Sequence, residues 1–480
     1  MTPAVARAAY VAGIFGLFVL NQDRLKRTSK ALWIPVAWLL INGSRPVSMW
    51  LGMAPQAQVP DQYLDGSPID RLVFSLLLAA GLIVLIGRRR QVGTFLKENW
   101  PILLFFGYCL ISVLWSDYSF VAFKRWSKAV GDFVMVLIVL TDSEPETAFK
   151  RFLARCSFIL VPISVLLIKY YPNLGVQYNV WTWTREFDGV TTTKNMLGMV
   201  CLICGLASVW RFLVAYKNQE DTRTVRRLIA HGVVIAMVLW LFWKSNSVTS
   251  ICCFAMAGGL IVMTSLHRFT RRPAVVHLLI AGMIFGSFFV LFLNPAGGVL
   301  EDLGRNPTLT GRTDIWKVVL SSAGNPMLGT GFESFWLGDR LQKMWSAPGG
   351  FMKGIQEAHN GYLEVYLNLG WIGVALLALL LVAGYRNVLA VFRRDRDSGT
   401  IRLAFFLTAV VYSFTEAGFR MMSPTWIAFL LATTYAPAVA VPESLPLLPI
   451  PQASRFWKTE QFAGHLAGTR FRTKPFEDVV

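Results

Sequence analysis

Apolar blocks of about 17 to 22 residues recur along most of this chain, near the ~20 residues a helix needs to cross a hydrocarbon core. Backbone in lipid must satisfy its own N–H and C=O groups, and a helix does so within one segment. The chain is therefore expected to be all-α, a polytopic membrane protein with about 12 to 14 transmembrane helices and one large, partly helical extracytoplasmic loop. The windows fall near 4–20, 31–43, 71–87, 100–115, 128–141, 156–169, 195–216, 229–243, 248–265, 275–293, 361–385, 401–418 and 424–440. The 31–43 block is short enough to be partly re-entrant. Composition agrees, with 54% apolar and 15% charged residues, against roughly 25% charged in soluble domains.

A formal net charge of +18 would suit a nucleic-acid binder, but the basic residues sit in short clusters between apolar blocks. That pattern is a topology signal, and no nucleic acid is expected as a partner. The clusters Arg24/Lys26/Arg27/Lys30, Arg88/Arg89/Arg90, Lys150/Arg151/Arg155, Arg223/Arg226/Arg227, Arg268/Arg271/Arg272 and Arg393/Arg394/Arg396 occupy every second connection. Such clusters are retained on the cytosolic side, which puts the amino terminus outside. Residues 1–20 lack a basic flank followed by a small-residue cleavage site and read as a retained helix. The six cysteines fall in or beside apolar blocks and read as small buried residues, Cys201-x-x-Cys204 included.

Residues 1–440 read as one integral membrane domain and 441–480 as a weakly ordered cytosolic tail, Pro-rich and then polar. The outer connections are 44–70, 116–127, 170–194, 244–247, 294–360 and 419–423, and 294–360 is much the longest. It holds Trp316, Phe332, Phe335, Trp336, Leu337, Trp345 and Phe351, enough to bury a small core. Residues 315–320, behind Thr310-Gly311-Arg312-Thr313-Asp314, read as a capped amphipathic helix.

The run Glu357-Ala358-His359-Asn360-Gly361-Tyr362-Leu363-Glu364 places an imidazole at the mouth of a membrane helix, where it can accept or give a proton near neutral pH. Of five histidines, the topology leaves His359 alone on the outer side. Outer cations gather at a few places: Lys124, Arg125 and Lys128; Arg185 and Lys194, the latter beside Asn195; and Arg312. Together they suit an anionic ligand such as a lipid-linked diphosphate. Each also has a plainer explanation. Lys124, Arg125 and Lys128 can touch lipid headgroups. Arg185 can pair with Glu186 or Asp188, and Arg312 with Asp314. Lys194 can snorkel beside a helix cap, and His359 can simply cap its helix. Glu416, near the end of a span, is costly unless paired or wet. Arg420 is its local partner; the alternative is a carboxylate that orients the basic site. There is no P-loop and no pair of histidines at metal-ligand spacing, so neither a metal nor a cofactor is expected.

His359-Asn360 is followed, nine residues later, by Gly370-Trp371-Ile372-Gly373. This resembles the signature of the bacterial O-antigen ligase and polysaccharide polymerase superfamily. The run from Asn306 to Trp316, then Pro326-Met327-Leu328-Gly329-Thr330-Gly331, is similar to the superfamily's outer-loop motif and looks closest to the exopolysaccharide polymerase branch. Lys194-Asn195-Met196-Leu197-Gly198 and Trp115-Ser116-Asp117-Tyr118-Ser119 resemble further family segments.

The resemblance implies a metal-independent, inverting glycosyltransferase in the bacterial inner membrane, its active site facing the periplasm. Its implied partners are an undecaprenyl-diphosphate-linked glycan donor, a glycan acceptor, the lipid bilayer and other polysaccharide assembly proteins. His359 and Arg312 would be catalytic, His359 as general base or acceptor-positioning group. Arg185, Lys194, Asn195, Lys124, Arg125, Asn360 and Glu416 would contact substrate. Polymerisation of lipid-linked repeat units is the first reading. The alternative is an O-antigen ligase that moves a lipid-linked glycan to lipid A-core or protein, and the third is a transporter or flippase of an anionic lipid-linked substrate.

Overall fold

The computed structural model describes residues 1–22, 27–53, 66–179, 183–217, 222–265, 273–293, 312–346 and 350–435. All of them lie in one unit, Met1–Pro437. The tail expected over 441–480 and the motif residues 306–311 fall outside the described residues. Helix dominates, as the apolar blocks require. The β structure among the described residues is one antiparallel hairpin, Val176–Tyr178 against Arg185–Phe187, with Tyr178 opposite Arg185.

Seven helices among the described residues are long and apolar enough to cross a membrane, and eight if the sharply bent pair Arg89–Glu98 and Trp100–Trp115 makes one span. The protein is therefore an all-α, multi-span membrane protein, with fewer long spans than the about 12 to 14 apolar windows suggest. The difference is one of length and charge. Trp33–Asn42 and Pro424–Thr433 have 10 residues each, about 15 Å at 1.5 Å per residue, or half of a hydrocarbon core. Ser119–Leu140 has 22 residues but carries Lys124, Arg125, Lys128 and Asp132. That helix also begins well before residue 128, so the connection expected over 116–127 is mostly its first turns. Arg396–Tyr412 ends short of residue 418, because the chain turns there to build the site described below.

Burial separates centre from rim. In Pro145–Tyr170 and Lys194–Lys217, 78% and 67% of the most apolar stretch is buried. In Pro3–Leu20 and Pro68–Gly87 only 11% and 17% is, so these two present apolar side chains outward. The connections gather into two groups. One joins several basic clusters through Arg88–Asp142 (3.6 Å), the Ser29 amide on Asp142 (3.1 Å) and Lys217–Asp397 (3.8 Å). The other holds Arg45–Asp188 (3.0 Å), Lys194–Glu186 (2.9 Å) and the contact of the Gly361 amide with the Ser413 carbonyl (2.8 Å). His359 belongs to this second group.

A small second core sits there too. Ile315, Val319, Phe335, Trp336, Leu341, Met344, Met352, Ala358 and Leu367 pack together, with Trp316 and Trp345 half-buried at its edge. Phe332 packs into the main core instead, and Leu337 is buried outside both clusters. Phe351 is exposed, against expectation: the chain turns at residues 351–354, so its ring points out. Helix Arg312–Ser321 is the amphipathic helix expected near residues 315–320.

The long helix Gly361–Arg394 is broken at Gly370, which has φ 64° and ψ −166°. The break frees backbone groups, and residues 326–331 fill them. Trp371 and Ile372 amides donate to the Pro326 (2.9 Å) and Met327 (3.3 Å) carbonyls, and the Gly331 amide donates to the Asn368 carbonyl (2.9 Å). A Cβ on Gly370 would lie 2.2 Å from the Met327 carbonyl oxygen. Gly370→Ala is therefore expected to lose at least about 2 kcal/mol, from positive-φ strain and from backbone contact. Gly107→Ala, in a helix with nothing within 4 Å of its Cβ, serves as the control and should be neutral or stabilising. Thermal midpoints of the two purified variants check this.

Candidate active site

Local backbone chemistry fixes His359 first. The Asn360 side-chain oxygen accepts from the Tyr362 and Leu363 amides, both at 3.0 Å, and so caps the helix that begins at Gly361. Its side-chain amide donates to the Phe414 carbonyl (3.2 Å) and ties the helix mouth to the 413–423 turn. On the other side Ala358 is held at both ends. Its amide donates to the Glu364 carboxylate, and its carbonyl accepts from Trp316 Nε1 at 2.8 Å. His359, between these anchors, takes a left-handed φ of 48°, a conformation that non-glycine residues adopt only where neighbours impose it.

Three carboxylates then meet two guanidiniums and this imidazole. Glu416 is 4% exposed. Its Oε1 accepts from Arg312 Nη2 at 2.7 Å and, at 3.5 Å, from Asn195 Nδ2. Its Oε2 lies 3.2 Å from His359 Nδ1. Glu357 Oε1 is 3.0 Å from the same nitrogen, and Glu357 Oε2 is 3.8 Å from Arg420 Nη1. Arg420 Nε reaches Glu333 Oε2 at 3.3 Å, and Arg125 donates to the Glu333 backbone carbonyl. Five separated stretches of chain thus contribute to one network at the mouth of the Gly361–Arg394 helix.

The plain pairings considered from sequence are not the ones formed. Glu416 pairs with Arg312 and His359, whereas Arg420 takes Glu333 and Glu357. Asp314 pairs with Lys317 (3.2 Å), leaving Arg312 to Glu416. Arg185 stands outside the network. It is exposed, its guanidinium lies 6.0 Å from the Tyr178 ring centroid, and its sequence neighbours Glu186 and Asp188 are taken by Lys194 and Arg45. Lys194 is likewise drawn to Glu186, although Asn195 next to it reaches Glu416. Lys124 lies over the Phe120 ring at 4.8 Å in a separate groove. Glu333 and Glu357 had no role in the sequence reading, and Arg420 had only that of a partner for Glu416. The one signal was a carboxylate two residues before His359.

Electrostatics sets the state of the ring. Burial alone would lower the His359 pKa, but hydrogen bonds and charge from Glu357 and Glu416 outweigh it and raise the pKa to about 10. Burial would raise Glu357, yet His359, Arg420 and Arg312 hold it down to about 2. Arg420 is shifted further up despite its burial, by Glu333, Glu364 and Glu357. His359 is thus an imidazolium at neutral pH, with Nδ1 turned to carboxylates. Ligand atoms of Glu357, His359 and Glu416 also lie within 4.8 Å of one another, a spacing that could hold a metal ion. An ion there would face Arg312, Arg420 and an imidazolium, so the residues suit an anion better than a metal.

The fold and this cluster define a multi-span membrane protein with a cation-rich pocket at one end of its helices. The O-antigen ligase family (Wzy_C) matches residues 221–378, a stretch that includes Arg312, Glu357, His359 and the break at Gly370. The exopolysaccharide production protein ExoQ of Rhizobium meliloti is 24% identical over 382 residues, covering 77% of this chain and 83% of its own length. Proposed polysaccharide ligases of Rickettsia prowazekii and Rickettsia bellii are 21% and 24% identical, each covering 71% of this chain and 81% of its own length. At family level the chain therefore matches the O-antigen ligase and polysaccharide polymerase superfamily, as its motifs suggested.

A raised His359 pKa has a consequence for stability. Its folded pKa lies above the unfolded value of about 6.5, so its contribution is complete below that pH and is lost as pH rises through about 10. The thermal midpoint of the wild type should exceed that of His359→Asn most clearly near pH 6, with the gap closing as pH passes about 10. A gap that does not change over pH 6 to 10 would show an uncharged ring.

Proposed function

We propose that this protein transfers a glycan from an undecaprenyl diphosphate carrier to an acceptor at the outer leaflet of a bacterial inner membrane. The observation that carries the reading is that Arg312 and His359 converge on one buried carboxylate, Glu416, inside the stretch that matches the family. The His359 group of connections lies away from the ends that carry most basic clusters, and cytosolic retention of those clusters supports a pocket that faces the periplasm.

The acceptor hydroxyl attacks the anomeric carbon from the face opposite the diphosphate, the carbon–oxygen bond to phosphate breaks, and its electron pair stays on phosphate. The configuration at that carbon inverts. Arg312 offers the leaving diphosphate a two-pronged partner once it exchanges Glu416 for phosphate. His359 contributes a charged donor at Nε2 that orients phosphate or hydroxyl. A general-base role is disfavoured, because a pKa of about 10 leaves roughly one ring in a thousand neutral at pH 7, a cost of about 4 kcal/mol. The hydroxyl proton passes instead to a carboxylate of the cluster as the new bond forms.

Within this chemistry the ligase reading comes first, with lipid A-core or a protein as acceptor. The matching family is described as O-antigen ligase, and the Rickettsia relatives are named as ligases. Polymerisation of lipid-linked repeats is the second reading, supported by the coverage of ExoQ. The transporter reading draws on the broken helix at Gly370, since transporters bind substrate at such breaks. Here the freed backbone groups are filled by residues 326–331 of the chain itself.

With purified protein and lipid-linked donor, transfer should be flat from about pH 6 to 9 and fall above about 10, and Arg312→Ala should cost about a hundredfold or more. A rate that climbs tenfold per pH unit toward pH 10 would make His359 the base after all. Lipid-linked glycans from a deletion strain separate the two acceptor classes: long carrier-linked chains accumulate if a ligase is lost, single carrier-linked repeats if a polymerase is lost.

A further inference from the structure

A second cationic site lies beside the first. Between helices Pro68–Gly87 and Ser119–Leu140 runs a groove of about 460 Å³ whose lining includes Arg71, Lys124, Arg125 and Lys128 with Phe74 and Phe120. Lys128 Nζ sits 5.3 Å from the Phe74 ring centroid, and Lys124 Nζ 4.8 Å from that of Phe120, so the ammonium groups and the apolar wall share one surface. The carboxylate lining it, Asp70, is already engaged by the Ser48 amide at 3.0 Å. The net charge is strongly positive, and cations above an apolar wall complement a phosphate headgroup joined to a hydrocarbon chain. The volume is that of a site for a single small ligand, roughly 300–1,000 Å³. It suits a diphosphate with the first units of one chain, not a lipid with several acyl chains.

Arg125 links this groove to the candidate active site. It lines the groove and also donates to the Glu333 carbonyl, and Glu333 holds Arg420, which faces Glu357 beside His359. The two cationic sites are therefore coupled through one short run of contacts. We infer that the groove seats the diphosphate of a second single-chain polyprenyl carrier, the one that bears the acceptor glycan, while Arg312 and His359 engage the donor. The inference rests on the glycosyl-transfer reading and adds to it that both substrates are carrier-linked.

The test uses full-length protein in phosphatidylcholine nanodiscs and a polyprenyl diphosphate with a photoreactive diazirine on its first isoprene unit, the crosslinks being mapped by peptide mass spectrometry. Label is expected on both groove helices and on the Arg312–His359 side. Lys124→Gln with Lys128→Gln should lower groove label at least about tenfold and change label on the His359 side less than about twofold; Arg312→Ala should do the reverse. Label confined to the His359 side, or groove label indifferent to the lysine changes, overturns the inference and leaves glycosyl transfer standing. So does groove label erased by an equal excess of phosphatidylglycerol, which would make the groove a general anionic-lipid seat. Absence of label at both sites together with absence of glycan transfer sinks the transfer reading as well. If the glutamine pair fails to fold, Lys124→Arg with Lys128→Arg keeps the charge and should keep the groove label; its loss overturns the inference.

Discussion

A carboxylate that is almost fully buried must be held by cations, and Glu416 takes one on each oxygen. Arg312 comes from a helix in the long loop, and His359 comes from the mouth of a membrane helix. Separating such a pair leaves an uncompensated buried charge, at a cost of about 3 to 5 kcal/mol. That penalty ties the loop to the bundle at one place. It also explains why His359 is held in a left-handed backbone conformation between two pinned neighbours, since the imidazole must meet a carboxylate that cannot move into water. Glu357 and Arg420 close the network on the far side of the ring.

The break at Gly370 gives that network its floor. A straight helix would keep the Trp371 and Ile372 amides for itself and would leave residues 326–331 without partners. The positive φ at Gly370 turns those amides toward Pro326 and Met327, and Gly329 can approach Asn368 only because it lacks a Cβ. The segment so anchored leads directly to Phe332, Glu333 and Ser334, hence to the carboxylate that holds Arg420. Two motifs far apart in the chain, Pro326-Met327-Leu328-Gly329-Thr330-Gly331 and Gly370-Trp371-Ile372-Gly373, are thus the two faces of one backbone contact.

Hydropathy and charge made the helices legible where length and apolarity coincide. The 248–265 window is the helix Val248–Ser265, and 195–216 differs from Lys194–Lys217 by one residue at each end. They failed where a helix is short, as at Pro424–Thr433, or where charge sits in its first turns, as at Ser119–Leu140. Apolar content reports what lipid or core will accept; it does not report how long the backbone stays helical. The site was legible in its members and not in its pairings. His359, Arg312 and Glu416 were visible as outlying polar groups, but which carboxylate takes which cation is decided by tertiary approach. Local proximity suggested Arg420 for Glu416 and Asp314 for Arg312, and both were outbid by partners that the fold carries in from elsewhere. Arg185 had the right chemistry on the wrong strand.

Charge balance limits what the pocket can accept. Glu333, Glu357 and Glu416 face Arg312, Arg420 and the His359 imidazolium, so the resting cluster is close to neutral. A diphosphate brought into it must displace a carboxylate from a guanidinium, and Glu416 on Arg312 is the exchange that leaves the displaced group still beside an imidazolium. One such exchange is tolerable; a second diphosphate in the same space would meet carboxylates without spare cations and would be repelled. If the reaction brings together two phosphate-bearing carriers, they need separate cationic seats with a shared boundary. Arg125, at the edge of the groove and bonded to the Glu333 backbone, stands at that boundary: the loop that organises one seat is fastened by a residue of the other.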